Sequence, residues 1–333
     1  MATYKGINGF AVQSVASDPS PLDEGQVWYN NATYAFKLAT VTTAGSWATG
    51  GNMNTASFQR ASATSGTQTA SLVFGGRTPT ITGITEPYNG TSWTELNDLN
   101  TARGQLAGAG TQTAALGFGG TTSSPADPGT TGATESWNGT SWASSPNSMN
   151  TARRVLAGTG TQTAALVMGG YNGSNNVANT ETWNGTSWTE VNDLNTTRRS
   201  MGACGLNTAA LTFGGTNPGD AQLANNESWN GTSWTELNDL NTARDVLAGA
   251  GTQTLALGFG GTIPPVTAIT EEWNGTSWAE TTDMATARTS LAGSGNQTAA
   301  LAFGGTSAPG TALAATEEWS GAGSPTTKTI TTS

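Results

Sequence analysis

A Gly-Gly pair returns along this chain at Gly75, Gly119, Gly169, Gly214, Gly260 and Gly304, at intervals of 44, 50, 45, 46 and 44 residues. Around each pair the same text recurs, so the chain holds six near-copies of one unit. This constrains the fold more than any composition value. A unit of this length cannot bury its own apolar face, and neighbours must stack to make a continuous core.

One unit reads "LNTARGQLAGAGTQTAALGFGG" (99–120), then a variable stretch, then "ATESWNGTSW" (133–142). It divides into four short strand candidates. The first is "RGQLAGAG" (103–110). The second is "TAALGFGG" (113–120), where Ala114, Leu116 and Phe118 alternate with Ala115 and Gly117. Large side chains on one face and small ones on the other suit a sheet packed on both sides. "TESW" and "TSWTEL" are the arms of a hairpin around Asn-Gly, the strongest short hairpin signal, because a type I′ turn needs φ > 0 at both central residues. With Asn138 and Gly139 as the loop, Glu135 faces Trp142, and Trp137 lies diagonal to it. A four-residue loop would set the two tryptophans directly opposite. "WNGTSW" is also a glycosylation acceptor or a Trp-flanked ligand reader on paper, and the turn reading is the one expected.

Composition excludes several classes. Of 333 residues only 10% are charged, and 12 Lys+Arg stand against 22 Asp+Glu, a net charge of −10. With three lysines, Lys5, Lys37 and Lys328, no basic stripe exists to neutralise phosphates, so no nucleic acid is expected as partner. The opening "MATYKGINGF" has no apolar h-region and no apolar run reaches eighteen residues, so neither a secretory signal nor a membrane span is expected. The single Cys204 cannot form an internal disulfide and reads as a small buried residue in a strand.

The Trp-Asn-Gly hairpin, the Gly-Gly after the second strand and the Arg before the first resemble the kelch repeat over about residues 45–321. The resemblance implies an all-β fold, a six-bladed kelch-like β-propeller of four-stranded blades, each buried between two neighbours. The ends of the repeat region are complementary. "TAGSWATGGNMNTA" (43–56) aligns with a fourth strand, and "LAATEEWSGAG" (313–323) is a third strand with no Trp after it. Residues 46–50 are therefore expected to complete the last blade. The rival closure uses "TTKTITTS" (326–333) as outer strand and leaves 45–50 to join "GQVWYNNATYAFKL" (25–38). On the first arrangement, 1–42 is a short N-terminal attachment segment, 43–323 the propeller and 324–333 a C-terminal tail.

Catalytic chemistry is not expected. With no His, the Ser-His-Asp and Cys-His systems are out, and a catalytic zinc or copper site lacks its usual ligand. No cofactor and no metal is expected. The S-x-D-x-G-x-x-W signature of sialidase-like propellers is not met. Glu135, Glu181, Glu227, Glu271 and Glu317 recur before the third-strand Trp, and Glu95, Glu190, Glu236 and Glu280 after the fourth-strand Trp. A catalytic pair needs unlike environments, which repetition does not supply. Arg103, Arg153, Arg198, Arg244 and Arg288, with Arg60 approximately equivalent and Arg154 and Arg199 adjacent, form a ring that could bind an anion or hold an inter-blade ion-pair network. The network is the expectation.

Variation concentrates in the second–third loops, 77–85, 121–134, 171–180, 216–226, 262–270 and 306–316, whereas "AGTQTA" and "NGTS" hardly change. Specificity is placed on loops of a rigid scaffold, which makes Arg77, Asp127, Tyr171, Asn172, Asn175 and Asp220 the candidate contacts. The alternative is that these loops are merely unconstrained. The near-identical repeats, the Thr/Ser/Asn-rich surface and the distinct N-terminus resemble kelch-like virion proteins of bacteriophages, marine ones in particular. That resemblance implies a non-enzymatic tail, fibre or capsid component, assembled in the host cytoplasm and acting outside it. Its partners would be other virion subunits through the N-terminal segment, a host-surface glycan or protein, and further copies of itself. The competing classes are a cellular kelch adaptor and, more remotely, a glycan hydrolase.

Overall fold

The computed structural model of the chain describes residues 12–19, 26–41, 44–123, 129–308, 311–323 and 325–330. Among these residues there are strands and no helix. The chain divides into two compact units, Ser46–Ser320 and a smaller one built from Met1–Gly45 with Gly321–Ser333.

In the larger unit the repeats become sheets. The strands Ala107–Thr111, Ala114–Phe118, Thr134–Trp137 and Trp142–Ser144 pair antiparallel in chain order. The same order recurs in the sheets that begin at Ala157, Gly202 and Ala248. In the first repeat Ala61–Ser62, Ser71–Phe74 and Thr85–Tyr88 form three strands, and single bridges from Thr85 to Leu96 and Tyr88 to Trp93 mark the fourth edge. The last sheet takes Ala292–Gly295, Ala299–Phe303 and Thr316–Ser320 from the end of the unit and Ser46–Thr49 from its beginning, with Trp47 opposite Trp319. The complementary ends therefore pair as expected. "TTKTITTS" does not join this sheet; its strand pairs elsewhere.

The alternation of large and small residues explains how sheets stack. Phe74 of the first repeat packs on Trp142 of the next at 4.7 Å between ring centroids, and a Cβ on Gly108 would come within 2.7 Å of the Phe74 ring. Phe118 makes the corresponding contact with Trp188 at 4.9 Å. The same tryptophans donate Nε1 to a threonine of the preceding sheet, Trp142 to Thr85 and Trp188 to Thr134, both at 2.9 Å. An aromatic pair of this kind contributes ~0.5–1.5 kcal/mol beyond area burial.

Backbone hydrogen bonds link every repeat to the next. The second glycine of each pair donates to the carbonyl of the following repeat's arginine: Gly76 to Arg103, Gly120 to Arg153, Gly170 to Arg198, Gly215 to Arg244 and Gly261 to Arg288. Gly305 completes the set on Ser57. At Gly119 and Gly120 φ is +67° and +96°, a left-handed pair that only glycine adopts without strain.

A second set runs deeper. Gln105 donates its N–H to Gln59, Val155 to Gln105, Ser200 to Val155, Val246 to Ser200, Ser290 to Val246, and Gln59 back to Ser290, at 2.7–3.2 Å. All six are non-glycine residues with φ between 47° and 59°. Such residues cost ~1–2 kcal/mol each. Here each one turns its N–H toward the neighbouring repeat.

The hairpin differs from the type I′ expectation. Trp137 pairs directly with Trp142, so the loop has four residues, and Asn138 N donates to Ser141 O at 3.3 Å. Only Gly139 has positive φ, 92°. Asn138 acts through its side chain, whose Oδ1 accepts from the N–H groups of Thr140 and Ser141 at 2.9 Å each. The asparagine is an acceptor for two turn amides and not a residue chosen for φ > 0. Asn184, Asn230 and Asn274 repeat the geometry.

The smaller unit is one sheet of Gln13–Val15, Val27–Asn30, Ala35–Val41 and Pro325–Ile330, parallel in its first pair and antiparallel after it. The C-terminal segment is thus a strand against Ala35–Val41, a pairing not read from the sequence. Trp28 and Asn30 are buried and both donate to Asp18 Oδ1, which holds that carboxyl below its usual range. Val27, Phe36 and Ile330 are exposed, and Tyr29, Phe36 and Ile330 stand in register across the sheet.

Candidate functional site

The recurrent Arg and Glu meet inside each repeat. Arg103 Nη2 lies 2.9 Å from Glu135 Oε1, and the pairs Arg153–Glu181, Arg198–Glu227 and Arg288–Glu317 measure 2.7, 3.0 and 2.6 Å. Arg244–Glu271 is closer still. Arg103 Nη1 also donates to the carbonyls of Gly119 and Ala133, and Glu135 Oε2 accepts from Asn100 N at 2.8 Å. All of these groups belong to one repeat. The network expected between blades is therefore within each, because the guanidinium reaches along its own sheet; only the arginine's carbonyl crosses to the neighbour. Burial pushes the Arg103, Arg153, Arg198 and Arg288 guanidinium pKa values down, and the glutamate opposite pulls each back. The carboxylates are occupied by arginine and backbone amides. The second set, Glu95, Glu190, Glu236 and Glu280, is exposed.

The first repeat reaches the same arrangement by another route. Ser57 stands at the arginine position, as its carbonyl's bond from Gly305 shows, and Arg60 three residues on fills the place of Leu106. Arg60 turns back so that Nη1 meets Glu86 Oε1 and Ser57 Oγ, both at 3.0 Å. A charge moved by three positions still lands on the same carboxylate.

At one end of the inner strands lies a cup of 700 Å³. Leu106, Leu156, Met201, Leu247 and Leu291, with Arg60 in the sixth place, form its apolar floor. The left-handed residues Gln59, Gln105, Val155, Ser200, Val246 and Ser290 form its wall. The rim is one-sided. Arg154, Tyr171, Asn175 and Asn176 come from the third repeat and Arg199, Pro218 and Asp220 from the fourth. The guanidinium carbons of Arg154 and Arg199 lie 4.9 and 5.7 Å from the Tyr171 ring centroid.

Of the candidates read from the loops, Tyr171, Asn175 and Asp220 line this cup. Asn172 is exposed, and its Oδ1 accepts from Ser174 N and Asn175 N, so it shapes the turn that carries Asn175. Arg77 is half-buried at the first-repeat position that Tyr171 takes in the third, bridged to Phe58, and is not among the cup residues. Asp127 lies outside the described residues. Sequence reasoning missed the separate role of Arg154 and Arg199. The signal was present as a doubled arginine in the third and fourth repeats only.

The opposite end is held by clamps. Gln162 Nε2 donates to Ala115 O of the preceding repeat at 3.1 Å, and Gln297 does so to Ala256 O at 3.3 Å and Trp273 O at 2.7 Å. Asn97 Nδ2 donates to Thr140 O, and Asn147 to Thr186 O, at 2.8 Å. The glutamine of "TQT", replaced in the fourth repeat by Asn207, and the "NGTS" turn thus each join two repeats. Cys204 is buried in the strand Gly202–Leu206, and burial pushes its thiol pKa up to about 12. Among the described residues no three His, Cys, Asp or Glu side chains gather as metal ligands, and no helix is long and apolar enough to cross a membrane.

No family model and no curated protein matches the chain. Among solved structures, that of YjhT is similar with a TM-score of 0.66 at 11% identity, covering 80% of this chain and 96% of that one. At that identity the likeness speaks for the fold alone: an all-β arrangement of four-stranded antiparallel sheets, consistent with a β-propeller.

Proposed function

We propose that the chain is a six-bladed kelch-like β-propeller serving as a non-enzymatic structural component of a bacteriophage virion. It joins the tail, fibre or capsid through residues 1–42 and offers the cup to a host-surface glycan or protein. The observation that carries this reading is the uneven distribution of variation. Positions that clamp repeat to repeat hardly change, whereas the rim of the 700 Å³ cup is built by the third and fourth repeats alone, from residues that the other repeats do not carry. A pocket of a few hundred Å³ with an apolar floor and a few convergent polar groups has the dimensions of a ligand site. The virion assignment rests on the wording of the repeats and the distinct N-terminus. Exposed Val27, Phe36 and Ile330 in the terminal sheet, with Val12 and Tyr34 beside its strands, support attachment there. The test is an exchange of 171–180 and 216–226 for "RTPTITGIT", which should leave folding and particle incorporation intact and abolish attachment to cells. Removing 1–42 should leave a folded propeller that no longer joins the particle. Attachment that survives the exchange and is lost on changing the "AGTQTA" turns would place the working face at the other end.

A further inference from the structure

The position directly after the buried arginine reads Phe58, Gly104, Arg154, Arg199, Asp245 and Thr289 around the six repeats, so charge there is confined to three consecutive repeats. Two of the three charges are the arginines that flank Tyr171. Arg154 Nη1 donates to Gln105 Oε1 at 2.8 Å, and Arg199 Nη1 to Asn176 Oδ1 at 2.6 Å, both neutral carboxamides of the cup. Arg199 Nη2 meets a carboxylate, Asp220 Oδ1, at 2.6 Å. That aspartate comes from an exposed turn, its side chain is 74% exposed, and its backbone is left-handed at φ 62°. Elsewhere on the cup wall Gln59 Oε1 is a buried acceptor with no hydrogen-bond partner.

We propose that the cup binds a carboxylate carried on a hydroxylated frame, and that Asp220 is a tethered stand-in which the ligand's carboxylate displaces from Arg199. This rests on the cup being the working site. An exposed ion pair is worth little and is easily exchanged. Arg199 keeps its shape when Asp220 leaves, because Asn176 holds Nη1 and the Tyr171 ring supports the guanidinium plane, so the site is preorganised for a planar anion. Both arginines use Tyr171 as a support, which makes the ring a positioning group. Ligand hydroxyls would meet Gln59 Oε1 and the side chains of Ser200 and Ser290 on the wall. A net charge of −10 on the chain repels long polyanions and favours a ligand with few charges.

Trigalacturonate, its fully methyl-esterified form and inorganic phosphate are the probes, titrated into the full chain by calorimetry. The acid should bind, and the ester, which keeps the frame and loses the charge, should bind about tenfold or more weakly, the loss expected when a charge-assisted contact is removed. Arg199→Gln should weaken the acid by a similar factor. Asp220→Asn should strengthen it several-fold while leaving the melting temperature nearly unchanged. Equal binding of acid and ester, phosphate binding as tight as the acid, or weaker acid binding in Asp220→Asn would each overturn the proposal. If the loop exchange abolishes cell attachment while the intact chain ignores all three probes, the carboxylate inference fails and the proposed function stands.

Discussion

Arg153 and Arg154 are neighbours in the chain, as are Arg198 and Arg199, yet each pair divides between two kinds of site. Arg153 and Arg198 are fully buried, each on a glutamate and on carbonyls of its own repeat. Arg154 and Arg199 stand at the rim of the cup beside Tyr171. Identical side chains one residue apart thus end in a buried ion pair and at the rim of a cup. What separates them is the direction that the backbone gives each, and the number of repeats that keep it: all six repeats supply the buried guanidinium, and two supply the half-buried one at the rim.

The largest expected effect would break this contrast outright. Glu181→Ala leaves the Arg153 charge buried without its carboxylate and should cost roughly 3–5 kcal/mol, the range for breaking one partner of a buried pair. Arg154→Ala and Arg199→Ala should stay within about 0.5 kcal/mol, as surface changes do. Urea unfolding of the three variants checks this, and equal losses would mean that the rim arginines are also structural. A sharper test uses the displaced arginine. Arg60→Leu alone should destabilise by a similar amount, since Glu86 loses its guanidinium. Adding Ser57→Arg recreates the pattern of the second repeat and should recover most of the loss. A double-mutant cycle should therefore show a coupling above about 1 kcal/mol, and simple additivity would refute the equivalence of the two routes.

The first-repeat substitution also shows how far the sequence could be read. Strand number and order, the stacking of large on small residues and the pairing of 46–50 with the last repeat were legible, because each follows from periodicity or from complementary ends. Arg60 was legible as an approximate equivalent and no more, because alignment compares positions whereas the ion pair depends on where a long side chain's tip arrives. The ion pairs were placed between blades for the same reason. The hairpin was read by the φ preference of Asn-Gly, and the side-chain acceptor of Asn138 won instead. Tyr171, Asn175 and Asp220 could be picked from variable loops, but Gln105, Val155 and Ser200 could not. Their left-handed backbone is imposed by a hydrogen bond to the adjacent repeat, which no local preference announces. The strand Pro325–Ile330 is polar and short, without the repeat text that would have named its partner.

Smaller effects sharpen the contrast on the clamped side. Asn184→Gly and Asn184→Ala should cost about the same, near 1 kcal/mol, since both remove the acceptor for Thr186 N and Ser187 N. A harmless glycine would restore the φ explanation. The smallest effect concerns Asp245, which shares the rim position of the two arginines and accepts from Thr216 Oγ1 at 2.6 Å. Burial raises its pKa above the ordinary 3.8. A raised folded-state value means that its favourable contribution is complete below the unfolded pKa and disappears as pH rises through the folded one. Asp245→Asn should therefore leave stability at pH 3 unchanged and raise it slightly at pH 7, as melting curves at the two pH values would show.

The mixed origin of the last sheet sets a timetable for synthesis. Ser46–Thr49 leaves the ribosome early, but its partner Thr316–Ser320 follows roughly 270 residues later. At ~5–20 residues per second the first strand waits on the order of ten seconds to a minute, with the Trp47 edge unmatched. Any nascent chain that stops before residue 316 lacks that partner altogether. The last sheet therefore cannot be completed before residue 320 has been made, and a product truncated earlier announces itself by an open, tryptophan-bearing edge.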